Sequence, residues 1–222
     1  VGQLLLLNRA VDDAEKMATE ALAKQPDNAE ALVLMAGVQM AKNNSDAAMQ
    51  SVEKALQKSP DDVSATLMKA SIQVKINQVG EAIALLKQGI EKKPDSIPLR
   101  TMLVGIYAKN QQTAEAEELL GAIIKLQPEE VQHYRNLALF QVGTNQLDKA
   151  EATLREAIQK LPDNEAATSN LIDFLVEKRS LEAAINELQS IVQQEPDTYA
   201  LKFKLASLQT ANKQVDKAEE TL

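Results

Sequence analysis

The 222-residue chain contains no cysteine, no tryptophan and a single histidine, and aromatic residues make up only 3% of it. Its seven glycines and seven prolines are also few, since average usage is about 7% and 5%. A chain with few turn-forming residues and few aromatic side chains has little from which to build a sheet. The composition therefore predicts an all-α protein.

The same absences remove several kinds of catalytic centre. Without cysteine there is no disulfide, no thiolate nucleophile and no cysteine-based zinc or iron–sulfur site. His133 alone cannot form a site that needs several histidines, and the sequence has no glycine-rich phosphate loop. Paired carboxylates such as Asp12 with Asp13 are expected on a solvated helix face. We therefore expect no catalytic residues, no cofactor and no metal, and a protein that is not an enzyme.

Charge and hydropathy limit the partners. The chain has 24 Lys and Arg against 32 Asp and Glu, which gives a net charge of −8. Nucleic-acid binding calls for a basic stripe, so we expect no nucleic-acid partner. No run approaches the roughly 18 apolar residues of a membrane helix, so we expect no membrane span in this segment.

A period of 34 residues runs through the sequence. Six of the seven prolines follow it, at Pro26, Pro60, Pro94, Pro128, Pro162 and Pro196. An alanine recurs at the same interval, at Ala14, Ala48, Ala82, Ala116, Ala150, Ala184 and Ala218. Two residues after the prolines lie Asn28, Asp62, Ser96, Glu130, Asn164 and Thr198, all of which except Glu130 are good helix N-caps. Repetition at this interval is typical of a solenoid.

Between the prolines the apolar residues follow helical spacing. After Pro26, one stripe includes Leu32 and Ala36, and a second includes Ala48 and Val52. Short polar segments separate such stripes at 42–45, 77–78, 110–112, 144–146, 178–180 and 212–214. Each 34-residue segment is therefore predicted to be a helix, a turn, a second helix and a second turn. Because one short helix pair cannot bury its apolar face alone, adjacent pairs must stack.

This motif resembles the tetratricopeptide repeat (TPR), which has small residues in the middle of its first helix, alanines in its second helix and a proline near its end. The small position of the first helix is Ala36, Ala70, Val104, Ala138 and Ile172. The resemblance covers the chain as a partial repeat 1–28, full repeats 29–62, 63–96, 97–130, 131–164 and 165–198, and a partial repeat 199–222. It implies a right-handed superhelical solenoid. Because the array begins and ends inside a repeat, we expect a fragment of a longer protein.

The resemblance also implies that the first helix of each repeat lines a concave groove, through positions that share one side of the helix. The candidate binding residues at these positions are Val33, Gly37, Met40, Leu67, Met68, Ser71, Thr101, Met102, Gly105, Arg135, Asn136, Asn170, Asp173, Phe203 and Lys204. Leu139 and Glu177 also occupy such positions. The N-terminal members are apolar and rich in methionine, which suits an amphipathic helix or an extended peptide. Among the polar C-terminal members, Asn136 and Asn170 are expected to bond a peptide backbone, and Arg135 a carboxylate. Alternatively, the apolar members belong to the core between repeats.

These features predict a non-catalytic scaffold that binds a peptide or protein segment in the concave groove. A second interpretation is a structural spacer or assembly platform, because the alanine- and glutamine-rich repeats are similar to those of bacterial envelope and exopolysaccharide-export TPR proteins. That similarity favours the periplasm or cell envelope over the cytoplasm. A third interpretation is self-association through apolar helix faces at the ends of the solenoid.

Overall fold

The computed structural model describes residues 4, 6, 8, 10–194 and 198–222. Within these ranges the chain forms thirteen α-helices and no β-strand, which confirms the predicted all-α class. Pro196 and Asp197, which belong to the predicted period, lie outside the described residues.

The helices form a regular series along the chain. They are α1 Val11–Lys24, α2 Ala29–Ala41, α3 Ser45–Lys58, α4 Val63–Lys75, α5 Val79–Lys92, α6 Ile97–Lys109, α7 Thr113–Leu126, α8 Val131–Gly143, α9 Leu147–Lys160, α10 Glu165–Lys178, α11 Leu181–Gln194, α12 Tyr199–Ala211 and α13 Val215–Thr221. The chain folds into two compact units, Val1–Leu119 and Leu120–Leu222. In each unit the even-numbered helices begin at intervals of 34 residues.

Capping explains where several helices begin. The side-chain oxygens of Asn28, Asp62 and Asn164 accept hydrogen bonds from backbone N–H groups in the first turns of α2, α4 and α10, which confirms these N-caps. Ser96 and Thr198 also occupy the N-cap positions of α6 and α12, but neither makes a side-chain cap bond, so the predicted capping bond is wrong for these two. The backbone spacing thus places a residue at the N-cap even where its side chain does not act as the cap.

The recurring alanine marks a tightly packed point in each hairpin. Ala14, Ala48 and Ala82 in the first unit have no exposed surface, nor do Ala116, Ala150 and Ala184. Ala150 and Ala184 belong to the main core cluster of the second unit, with Leu171, Leu188 and Leu205. Only a methyl group fits where two helices approach this closely, because protein cores are packed without spare volume.

The turn inside most hairpins contains one residue with left-handed backbone. The φ angle lies between 60° and 65° at Asn43, Asn77, Gln111, Asn145 and Lys213, which are spaced by 34 residues or a multiple of it. Asparagine tolerates this conformation better than most residues. The exception is Arg179, which has a φ of −121°. There α10 continues through Lys178, so this turn is shorter than the predicted segment 178–180.

A hydrogen-bonded polar pair, buried in one case and half-buried in two, recurs between the two helices of several hairpins. The Ser51 hydroxyl donates a hydrogen bond of 2.8 Å to Gln39 Oε1. The same bond, between residues twelve positions apart, joins Thr153 to Gln141 at 2.9 Å and Thr221 to Gln209 at 2.9 Å.

Gln73 occupies the equivalent place in the hairpin of α4 and α5. The residue twelve positions after it is Leu85, which has no group to donate. Gln73 Oε1 is accordingly buried without a hydrogen-bond partner among the described residues.

Ion pairs connect the second helices of successive hairpins in the second unit. Arg155 on α9 donates to Glu151 on its own helix at 3.0 Å and to Glu187 on α11 at 2.8 Å. Arg179, in the irregular turn, reaches Glu151 at 2.9 Å and also Asp148. Hydrogen bonding to Glu187 is the largest contribution that raises the pKa of Arg155 above its ordinary value. The network therefore fixes α9, the turn and α11 to one another.

Candidate functional site

A pocket of about 290 Å³ opens between α8 and α10 of the second unit. Its lining comes from two helices that each begin a hairpin, with Leu154 of α9 added, and consists of Arg135, Ala138, Leu139, Val142, Leu154, Asn170, Asp173, Phe174, Glu177 and Lys178. Three of the predicted groove residues, Arg135, Asn170 and Asp173, are thus brought together.

The floor of this pocket is part of the hydrophobic core. Ala138, Leu154 and Phe174 line it and are also members of the core cluster. Leu139 stands at the rim with 55% of its surface exposed. A large apolar side chain this exposed, next to an apolar floor, offers contact area to a ligand without any rearrangement of the core.

The charges around the pocket are unevenly paired. Lys204 Nζ on α12 lies 2.9 Å from Asp173 Oδ1, so this carboxylate is already neutralised. Within the part of the chain that the structure describes, the ion-pair partner of Glu177 is its neighbour Lys178, at 3.9 Å. Arg135 is exposed and has no ion-pair partner or hydrogen-bonded side chain among the residues that the structure describes. Arg135 can therefore bind an anionic group without first breaking an existing ion pair.

The side-chain amides of Asn136 and Asn170 differ in whether they are free to bond a ligand. Asn136 Oδ1 accepts a hydrogen bond of 2.7 Å from Gln132 Nε2. Asn170, half-buried at the pocket wall, has no hydrogen-bond partner within the described part of the chain. Since an amide both donates and accepts, Asn170 has the free groups needed to bond a peptide backbone.

The N-terminal members of the predicted set lie in a different environment. Val33 is only 5% exposed and belongs to the core cluster of α2, α3 and α4, against which Met40 and Met68 also pack. A Cβ atom added at Gly37 would lie 2.6 Å from Leu6 Cδ1 and 3.4 Å from Met68 Cε. The side chains of Leu6 and of Met68 on α4 therefore fill the space beside Gly37, and this stretch is interior packing.

The remaining members of the set show graded exposure. Leu67 and Met102 are half-buried, whereas Ser71, Thr101 and Gly105 are exposed, with no atom within 4 Å of a Cβ placed on Gly105. In the second unit Phe203 is 65% exposed. Of the predicted groove positions named above, Leu139 and Phe203 are the large apolar side chains that the structure describes with more than half of their surface exposed, and both lie in the second unit.

Sequence reasoning missed part of the pocket lining. Val142 follows Leu139 by three residues on the same helix face, so consistent use of the helical spacing would have found it. Phe174 and Leu154 show no such signal, because both belong to the core and only their exposed edges reach the pocket.

The other candidate groups have structural partners. A ring nitrogen of His133 lies 3.0 Å from Gln127 Oε1. The hydroxyl of the neighbouring Tyr134 donates to the Pro128 carbonyl at 3.1 Å, and burial, followed by the charges of Glu156 and Glu129, raises its pKa. These contacts order the turn before α8, which carries Arg135 and Leu139.

Within the described ranges, no helix is both long and apolar enough to span a lipid bilayer. The same residues include no group of three or more His, Cys, Asp or Glu side chains placed to hold a metal ion.

Comparison with known proteins identifies the family. A family model described as tetratricopeptide repeat matches residues 5–72, 46–96, 77–139 and 141–201. The chain therefore belongs to the tetratricopeptide repeat family, as the 34-residue motif predicted. No curated protein sequence matches the chain.

Solved structures show the same fold at low identity. The crystal structure of MamA is 20% identical over 72% of this chain and 94% of its own, with a TM-score of 0.54. A tetratricopeptide repeat protein from Parabacteroides merdae is 14% identical over 87% of this chain and 77% of its own, with a TM-score of 0.52. The Cut9–Hcn1 hetero-tetramer of the APC/C gives 14% identity over 94% of this chain and 42% of its own, with a TM-score of 0.57. The fold is one that generally serves as a protein–protein interaction scaffold.

Proposed function

We propose that the second unit captures a segment of a partner protein in the pocket between α8 and α10. The observation that carries this proposal is the exposed apolar side chain of Leu139 at the pocket rim, next to a floor formed by core residues. Arg135 and Asn170, whose amide has no hydrogen-bond partner among the described residues, line the same pocket. Apolar contact supplies the affinity, and the polar groups fix the segment in place.

The pocket is suited to a segment rather than to a small polar substrate. Its two long walls are helices, so it is open along the helix axes, and about 290 Å³ accommodates one or two side chains. Pocket residues come from rigid helices anchored in the core cluster, so the surface is largely preformed and binding costs little ordering.

Site-specific photocrosslinking tests the proposal. A photoreactive amino acid replaces Leu139 in the pocket or, as the matched control, Ala152, which is exposed on α9 of the same hairpin. Irradiation in the cells that make the protein should give a discrete adduct from position 139, and mass spectrometry should locate the link within one segment of the partner. Equal adducts from both positions, or none from position 139, would contradict capture in this pocket.

A second variant checks that the rim itself contributes. Leu139→Asp places a charge at an exposed position, so the helical circular dichroism should be unchanged. The adduct formed from a probe at the neighbouring Val142 should nevertheless be lost. Persistence of that adduct would show that the apolar rim is not needed for binding.

A further inference from the structure

The pocket between α8 and α10 has a direction, and this bears on which segment it takes. Because α8 and α10 begin successive repeats, they run the same way, and the lining residues fall into three levels along them. Arg135 and Asn170 form the first level, Leu139 with Asp173 the second, and Val142 with Glu177 the third.

The spacing of the first two levels matches that of an extended chain. Arg135 and Leu139 are four residues apart on α8, which places them about 6 Å apart along the helix axis. In an extended peptide, side chains two residues apart point to the same side and are separated by about 6.6 Å. A segment that lies along α8 can therefore place one side chain at each of these residues.

The charge at the first level is positive and uncompensated. Arg135 has no anionic partner in the described ranges, whereas the second-level carboxylate of Asp173 is held by Lys204 at 2.9 Å. A guanidinium is planar and suited to bidentate binding of a carboxylate. The first level therefore favours an acidic group, and the second level an apolar side chain beside Leu139 and Phe174.

From this geometry we infer that the pocket selects an extended segment in which an acidic residue lies two positions from a large apolar residue, with Arg135 binding the carboxylate. The inference rests on the proposed function, because it names the chemistry of the segment captured at the same site. Arg135 is thereby the residue that determines specificity, and Leu139 the one that supplies apolar contact.

Selection of random peptides displayed on phage tests the inference with the full chain as bait. Peptides selected on the wild type should be enriched in an acidic residue two positions from Leu, Ile, Phe or Met. Selection on Arg135→Glu should replace the acidic residue by Lys or Arg at the same spacing. Lys160→Glu, which reverses a charge at an exposed position in the last turn of α9, should leave the wild-type pattern unchanged.

Binding of one enriched peptide, followed by fluorescence anisotropy, gives the size of the effect. Arg135→Gln should weaken it about 10- to 100-fold, because a hydrogen bond to a charged group contributes about 1.5–3 kcal/mol. Arg135→Lys should give an intermediate loss, since it keeps the charge without the planar fork.

The unfavourable outcomes separate the inference from the proposed function. Peptides that bind the wild type but not Leu139→Asp, with no acidic preference or with the same preference on Arg135→Glu, would overturn the inference and leave the proposed function in place. Failure to enrich any peptide relative to Leu139→Asp would overturn both.

Discussion

Replacing Gln73 with leucine should stabilise the first unit. Gln73 Oε1 is buried, and among the described residues it has no hydrogen-bond partner. Leaving a polar group in this state costs about 1–3 kcal/mol relative to a satisfied group. Leucine has a similar volume and no polar atom. The residue twelve positions after Gln73, Leu85, is also a leucine. We therefore expect Gln73→Leu to raise the free energy of unfolding by about 1–2 kcal/mol.

The same substitution should have the opposite effect at the equivalent position two repeats later. Gln141 accepts a hydrogen bond from Thr153 at 2.9 Å within a buried pair. Gln141→Leu removes the acceptor and leaves the buried hydroxyl unsatisfied, so we expect a loss of about 1–2 kcal/mol. Leu85→Thr supplies the missing donor to Gln73 and should make a later Gln73→Leu change unfavourable.

Local measurements are needed, because repeat proteins do not always unfold in one step. Urea denaturation followed by circular dichroism gives the overall change. Hydrogen exchange of the α4 and α5 amides should slow about tenfold in Gln73→Leu, since a factor of ten corresponds to about 1.4 kcal/mol. Destabilisation by Gln73→Leu, or equal effects of the two Gln→Leu changes, would refute the pairing of residues twelve positions apart.

Three further outcomes are expected. Gly105→Ala should raise the free energy of unfolding by about 1 kcal/mol, because Gly105 lies inside α6 with open space around it. Gly89→Ala should raise it by less, since the added Cβ would lie 3.1 Å from a Leu99 methyl group. Gln111→Asn should raise the free energy of unfolding measured by urea denaturation by about 0.5 kcal/mol, because φ is 60° at this residue and asparagine tolerates that conformation better than glutamine does. The pKa of Tyr134 is raised by burial above its ordinary 10.0, so its contribution to stability is present below pH 10 and is lost as the pH rises through the raised value. Urea midpoints should accordingly fall more steeply above pH 10 in the wild type than in Tyr134→Phe.

Most of the fold follows from the sequence, because the features that define it are local. Within the described ranges each proline of the 34-residue series follows the end of a helix, and the residue two positions later precedes the next helix, so Asn28 and Asp62 mark helix starts without any tertiary information. Ser96 stands at the same place, yet its buried hydroxyl makes no cap bond. The position of a cap is thus set by the repeat, whereas its hydrogen bond depends on the surroundings of the side chain.

The candidate site was less predictable, because accessibility depends on neighbouring helices. The resemblance implies that Arg135 and Asn170 face one groove, and both line the pocket between α8 and α10. The sequence pattern could not show that Val33 is buried, since this depends on side chains from other helices, such as Met68, which packs against the same core cluster. Nor could it show that Lys204 pairs with Asp173, 31 residues away in sequence, and so leaves Arg135 as the free charge.

The constant spacing also bears on how such a chain changes length through recombination. Removing residues 63–96 would join Asp62 to Ile97, so an N-capping side chain would again precede a helix start, and every later alanine and left-handed turn would keep its place. A deletion whose length is not a multiple of 34 would join two different points of the repeat, so the hairpin at the junction would lose part of a helix, its turn or a buried alanine of the kind seen at Ala116 and Ala150. We therefore expect changes in length to be tolerated best when they add or remove whole repeats, because such changes keep each cap, turn and buried alanine at its place in the hairpin.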